Sequence, residues 1–279
     1  MKLYSIETGY FKLDGGAMFG VVPKIIWNKK YPADENNRIS MAMRCLLIDS
    51  GDRKILIDSG IGNKHDEKFV RNFNLFGDDS LEKSLQKNKY SFDDITDNIL
   101  THLHFDHCGG SVTINPETNK PEPAFKNATY WISKSQWGNA INPNPREKAS
   151  YFNINYVPLK EAGKVKFVED NTEIAPGISV RIFNGHTNGQ IIPFIKYKNE
   201  TIVYMADLIP MATHLHLPYI MSYDLRAIDS MKEKEEFLYE AVKNNYILFF
   251  EHDFYNECCR VEKTDKGFIA KDTFSLSDI

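Results

Sequence analysis

At 279 residues, with 42% hydrophobic and 26% charged residues and a formal charge of −4, the chain can build an ample core, and it lacks the basic surplus of a nucleic-acid-binding protein. No apolar run approaches the roughly 20 residues of a membrane helix, and Met1-Lys2-Leu3-Tyr4-Ser5-Ile6-Glu7 alternates like a strand instead of presenting a signal-peptide core. Four irregularly spaced cysteines (Cys45, Cys108, Cys258, Cys259) exclude a disulfide framework, so the expectation is a cytoplasmic protein with neither membrane nor nucleic acid as partner.

Strands are predicted over Lys2–Glu7, Arg44–Asp49 and Lys54–Asp58, followed by helices over Asp66–Phe73 and Leu81–Gln86. A helix-like Phe92–Thr96 leads into a strand at Asn98–Thr101. After a strand at Thr129–Ile132 and a helix at Lys134–Ala140 come strands at Val165–Phe167, Ser179–Phe183, Ile191–Ile195 and Thr201–Ala206. The clearest helix is Met231–Lys243, with Phe237, Leu238, Ala241 and Val242 on one face and Ser230 with Glu233 as a capping box. It delivers the chain into a strand at Tyr246–Glu251. Strands broken by helices argue an α/β or α+β class, and no linker or composition break divides the chain, so residues 1–279 read as one domain.

The chemistry is concentrated in Thr101-His102-Leu103-His104-Phe105-Asp106-His107-Cys108-Gly109-Gly110, which places three of the eight histidines within six residues. Neutral imidazole and carboxylate suit Zn²⁺, Mn²⁺ or Fe²⁺ at about 2.0–2.2 Å. If the preceding segment is a buried strand, His102 and His104 leave its end to one side and can grip one ion. Asp106 and His107 then come from the following turn for a second, with Gly109-Gly110 letting the backbone fold tightly back. Three solvated loop histidines are the bland alternative, disfavoured because such residues rarely cluster with an aspartate at ligand spacing. Two ions need more donors, and His186, Asp207 and His252 each stand just past an apolar strand. Singly each reads as an ordinary strand-end residue; together they complete five histidines and two aspartates.

This order of motifs, H-x-H-x-D-H, then His, Asp and His, resembles the metallo-β-lactamase superfamily from the first strands to His252. The resemblance implies a four-layer αββα sandwich with two divalent metal ions, zinc by default and manganese, iron or cobalt as alternatives. His102, His104 and His186 would hold one ion, Asp106, His107 and His252 the other, and Asp207 would bridge. Ile55-Leu56-Ile57-Asp58-Ser59-Gly60 matches the family's strand and Asp-x-Gly, making Asp58 the partner that orients a ligand. An aspartate at 207 in place of cysteine points to the lactonase, glyoxalase II and phosphotriesterase-like branch. Asp14–Gly20, Ala42–Asp49 and Ala206–Pro210 are most similar to acyl-homoserine-lactone lactonases and methyl parathion hydrolase, although Pro210 and Met211 stand where lactonases carry a tyrosine.

The implied reaction is attack of a metal-bridging hydroxide on a lactone or ester carbonyl or a phosphotriester, with Asp106 or Asp207 accepting a proton. A glyoxalase II-like thioesterase and an iron-dependent, persulfide dioxygenase-like redox enzyme are the alternatives. Substrate contacts are expected from Phe19, Trp27, Tyr219 and Tyr223, whose apolar character favours a small apolar ester or lactone. A homodimer is left open. The second H-x-H, His214-Leu215-His216, lacks a nearby carboxylate and reads as structural; His65 reads as surface, and Asp253 either orients His252 or faces solvent.

Overall fold

A computed structural model describes residues 1–279. The chain runs β1 (Lys2–Asp14), α1 (Gly15–Phe19), α2 (Lys24–Trp27), β2 (Arg38–Asp49), β3 (Lys54–Ile57), α3 (Glu67–Phe73), α4 (Leu81–Lys87), β4 (Asp97–Ile99) and α5 (Phe105–Cys108). It continues through β5 (Val112–Ile114), β6 (Pro121–Pro123), β7 (Thr129–Ser133), α6 (Lys134–Ile141), α7 (Val157–Glu161), β8 (Val165–Val168), β9 (Thr172–Ala175) and β10 (Ile178–Phe183). The last elements are β11 (Gln190–Tyr197), β12 (Glu200–Tyr204), α8 (Ala227–Asn244), β13 (Ile247–Phe249), β14 (Cys258–Thr264) and β15 (Gly267–Phe274). No helix is long and apolar enough to cross a membrane.

Two compact units divide the chain: Met1–Tyr10 with Met43–Asp170, and Phe11–Ala42 with Asn171–Ile279. The first is built on a sheet ordered β1-β2-β3-β4-β7-β8. Strands β3, β4, β7 and β8 are mutually parallel, with Ile57 opposite Ile99 and Ile99 opposite Trp131. Such strands are covered on both faces, and the run Ile55-Leu56-Ile57 is accordingly fully buried. Leu47, Leu56, Leu85, Leu100, Phe125 and Tyr156 belong to the core beneath the sheet.

The second unit is built on a sheet ordered β15-β14-β13-β12-β11-β10-β9. Its β12 and β13 are parallel, with Tyr204 opposite Phe249, and the neighbouring pairings are antiparallel. Pro193 sits in β11 opposite Val180, one residue before the pairing with β12 begins at Phe194 and Val203, so its missing N–H interrupts no bond to β12. Helix α8 buries Phe237, Leu238 and Ala241, and the Phe237 ring meets Phe194 edge-on.

The capping box expected at Ser230 and Glu233 does not form. Helix α8 starts earlier, behind Arg226, and the Glu233 carboxylate instead accepts from the backbone N–H groups of Asn184 (2.8 Å) and Gly185 (2.9 Å). A tertiary partner has taken the carboxylate that a local cap would have used. Gly185 is packed so closely that a Cβ there would lie 2.4 Å from Ser230 backbone. The strand expected at Lys2–Glu7 extends to Asp14, and the one expected at Asn98–Thr101 ends at Ile99, because the Thr101 N–H leaves the ladder for the Asp58 carboxylate at 2.7 Å. His65 is half-buried, its ring stacked on Phe69 at 4.0 Å, where a surface position was expected.

Candidate metal centre

In the first unit, parallel register delivers two strand ends side by side: β3 leads into Asp58 and β4 into His102–His107. Asp58, held in the left-handed region at φ 56°, joins the two loops. Its N–H donates to Ile99 O (2.9 Å), while its carboxylate accepts from Thr101 N–H (2.7 Å), Thr101 Oγ1 (2.7 Å) and His107 Nδ1 (3.0 Å). A non-glycine residue in that conformation stores strain of the kind found where side-chain aim matters more than local stability. Ser59 closes the loop from the other side, its N–H donating to His107 O at 2.8 Å.

Thr101 also settles His102. Its one hydroxyl proton goes to Asp58, so toward His102 Nδ1, 3.2 Å away, the oxygen presents a lone pair and Nδ1 must carry the ring proton. His102 Nε2 is thereby left as an electron-pair donor, 3.0 Å from His104 Nδ1. His107 Nε2 lies 4.0 Å from Asp106 Oδ2. His102 and His107 are wholly buried, and His104 and Asp106 nearly so. Gly109 and Gly110 serve this packing by close approach: Gly109 has helical φ −59°, not a turn conformation, and a Cβ there would lie 2.0 Å from Ile61 O, while one on Gly110 would lie 2.1 Å from Ser59 O. The expected tight backward fold is thus a matter of missing side-chain volume, not of left-handed backbone.

The second unit repeats the device. Parallel β12 and β13 bring Asp207 and His252 out together, with Met205 N–H donating to Phe249 O at 2.9 Å. Ala206, before Asp207, is held at φ 41°. Asp207 offers one oxygen to each of two imidazoles, Oδ2 at 3.1 Å from His186 Nε2 and Oδ1 at 3.2 Å from His252 Nε2. The far nitrogens are engaged as well: His186 Nδ1 lies 2.7 Å from Asp224 Oδ1 and His252 Nδ1 2.9 Å from Ala42 O, whose residue returns a backbone N–H to His252 O at 3.1 Å.

These side chains fit a divalent cation. Ligand atoms around one ion at about 2.0–2.1 Å stand roughly 3.0–3.4 Å apart, the range of the His102–His104, His186–Asp207 and His252–Asp207 separations. Burial opposes charge on His186, yet the Asp207 and Asp224 carboxylates outweigh it and hold the imidazole up to about 10. Surroundings that stabilise a positive charge this deep in the protein suit a cation, which would displace the proton on binding.

Asp224 and Glu147 are functional candidates that the sequence reading missed. Asp224 stands in an irregular stretch before α8, 38 residues from the histidine it meets, with no local pattern to mark it. Glu147 lies between α6 and α7, its Oε2 3.8 Å from His104 Nε2. Phe105, between two predicted ligands, packs its ring against Phe69, Phe73 and Phe152 in a partly exposed aromatic cluster of the first unit.

Of the aromatic residues expected to meet a substrate, Phe19 and Trp27 are fully covered and stacked on each other at 5.0 Å, with His214 stacked on the other face of Phe19 at 5.0 Å. Tyr219 is half-buried against Phe19, and Tyr223 is exposed. His214 Nε2 is 2.8 Å from Met18 O, and burial pushes its pKa down to about 3, so it acts as a neutral packing residue. His216 contacts Lys30 Nζ at 3.2 Å. Asp253 is buried and does not face solvent; it accepts from Ala212, Tyr255 and Asn256 N–H groups, shaping the turn after His252. Cys108 is buried with Sγ 3.4 Å from Leu103 O.

Imidazoles and carboxylates set just past strand ends suit a divalent cation, and the class of protein they define is a metal-dependent hydrolase. The sequence profile of the Metallo-beta-lactamase superfamily matches residues 44–252. The chain belongs to this superfamily and has its mixed α/β fold. A probable metal-dependent hydrolase from Staphylococcus aureus superposes with a TM-score of 0.86 at 30% identity, over 98% of each chain. AidC, a dizinc quorum-quenching lactonase solved with the product N-hexanoyl-L-homoserine, superposes at 0.80 with 24% identity, over 98% of this chain and 94% of its own. An N-acyl homoserine lactonase from Bacillus thuringiensis is 24% identical over 93% of this chain and 96% of its own length.

Proposed function

We propose that the chain is a dinuclear hydrolase of lactones or related apolar esters, working as one functional domain. In this reading His102, His104 and His186 would hold one ion, Asp106, His107 and His252 the other, and Asp207 would serve both; zinc is the default metal, with manganese, iron and cobalt suited to the same donors. The observation that carries this reading is the aim of Asp207, whose two oxygens face two different imidazoles in the second unit. The lactonases similar to this chain over nearly its whole length support the choice of substrate.

Two divalent cations bound there would supply Lewis acidity and make hydroxide available near neutral pH. The chain's own contribution is to keep the imidazoles aimed and to place the Asp106 and Asp207 carboxylates where either could accept a proton. The partly exposed Phe69, Phe73 and Phe152 beside Phe105 offer apolar surface to an acyl chain, while Tyr219 and Tyr223 are the proposed polar-tipped contacts, with Phe19 packed against Tyr219 and Trp27 stacked on Phe19.

The test is hydrolysis of hexanoyl and long-chain acyl homoserine lactones, followed by proton release, for metal-loaded against metal-stripped protein. A metal-dependent kcat/KM near or above ~10⁴ M⁻¹s⁻¹ supports the reading. No rate above the stripped control removes the lactonase assignment and turns the search to phosphotriesters, aryl esters and thioesters.

A further inference from the structure

We infer that Glu147 is the positioning residue for His104, determining which of its two nitrogens is presented to a metal. The inference rests on the reading of His104 as a ligand. Four of the five candidate ligand histidines are keyed through Nδ1: His102 to the Thr101 hydroxyl, His107 to Asp58, His186 to Asp224 and His252 to Ala42 O. Each is left to bind through Nε2. His104 is turned the other way, with Nδ1 3.0 Å from His102 Nε2 and Nε2 directed at Glu147 Oε2, 3.8 Å off. An imidazole that binds metal through one nitrogen carries its proton on the other and needs an acceptor there. For His104 that acceptor is Glu147.

The surroundings of Glu147 are built to hold a carboxylate in place. The residue is only 5% exposed, and burying such a group is costly unless donors converge on it. Asn139 Nδ2 (2.7 Å) and Asn144 Nδ2 (2.8 Å) donate to Oε1, and Tyr151 donates its hydroxyl to Oε2 at 3.2 Å. The Tyr151 oxygen accepts in turn from Gln136 Nε2 (2.9 Å) and Asn139 Nδ2 (3.1 Å), which directs its own proton toward Glu147. The same Tyr151 ring packs against the His104 imidazole, centroids 4.9 Å apart. Helix α6 and the Asn144–Tyr151 loop thus fix both the carboxylate and the ring it faces. At 3.8 Å the contact is longer than a hydrogen bond, but its electrostatics select one tautomer: Nε2–H directs a positive hydrogen at the carboxylate, whereas the alternative would direct a lone pair.

The experiment is cobalt(II) binding by chelator competition, with the visible absorption of the bound ions as a second signal, in wild type, Glu147→Gln and Tyr151→Phe. Glu147→Gln is expected to weaken one of the two ions by about 10–100-fold and alter its absorption bands, leaving the other within about threefold. Tyr151→Phe, which keeps the carboxylate but removes a donor from the oxygen facing His104, is expected to weaken the same ion less. Unchanged affinities and spectra, or equal weakening of both ions, would overturn the inference. Should Glu147→Gln fail to fold, nitrogen-15 NMR of the zinc-loaded wild type decides: a His104 proton on Nε2 supports the assignment and one on Nδ1 overturns it. A wild-type protein that takes up neither cobalt nor zinc would overturn the metal reading itself, a result distinct from loss at one ion.

Discussion

Asp224 accepts from His186 Nδ1 at 2.7 Å across 38 residues of sequence, and this one contact fixes the ring that also faces Asp207. Carboxylates placed behind a metal-binding imidazole hold its tautomer and raise its basicity. Asp224→Asn keeps the shape and removes the charge. Metal affinity measured by chelator competition is expected to fall about 10–100-fold, with the circular dichroism spectrum unchanged.

Asp207 is the group on which His186 and His252 converge in the second unit. Asp207→Ala is expected to lower turnover by orders of magnitude and to reduce the bound metal recovered after dialysis. A variant that kept activity within tenfold would exclude the bridging role, whereas one that lost only melting temperature would mark the metal as structural.

Gly109 has ordinary helical backbone angles, so alanine there meets no conformational penalty and the test is purely steric. The added Cβ would fall 2.0 Å from Ile61 O, a backbone atom that cannot rotate away. Gly109→Ala is expected to destabilise the protein by at least about 1–3 kcal/mol and, by displacing the loop that carries His107, to lower metal content. Thermal melts and metal analysis read the two effects separately.

Lys234 is buried in the second unit with its Nζ donating to the carbonyls of His214 (3.0 Å), His216 (3.1 Å) and Tyr219 (2.8 Å). Burial pushes its pKa down to about 7, against an ordinary 10.5 retained in the unfolded chain. Between those values the unfolded state binds more protons, so this group makes stability rise with pH through the window, with its penalty fully present below about 7. Lys234→Met removes that slope. The melting temperature of wild type minus that of the variant is expected to increase between pH 7 and 10; a flat difference would show that the three carbonyls hold the ammonium charged throughout.

Two kinds of information divide this protein. The sequence alone determined the residue types and their order: the H-x-H-x-D-H run, the later His186, Asp207 and His252 at strand ends, and Asp58 after Ile55–Ile57, all readable because strand alternation and ligand spacing are local properties of the chain. Most elements followed in the same way, with α3 and α4 starting within one residue of the predicted positions behind their Asp66 and Ser80 caps. The tertiary structure decided which nitrogen of His186, His252 and His104 is turned to Asp224, Ala42 and Glu147, partners brought in from tens of residues away or more. It also gave Glu233 to Asn184 and Gly185 in place of a helix cap, and made Gly109 a matter of clearance against Ile61. Spacing along a strand or turn is set by bond geometry, whereas the direction of a buried side chain is set by whichever distant donor or acceptor satisfies it most cheaply, and no local pattern records that choice.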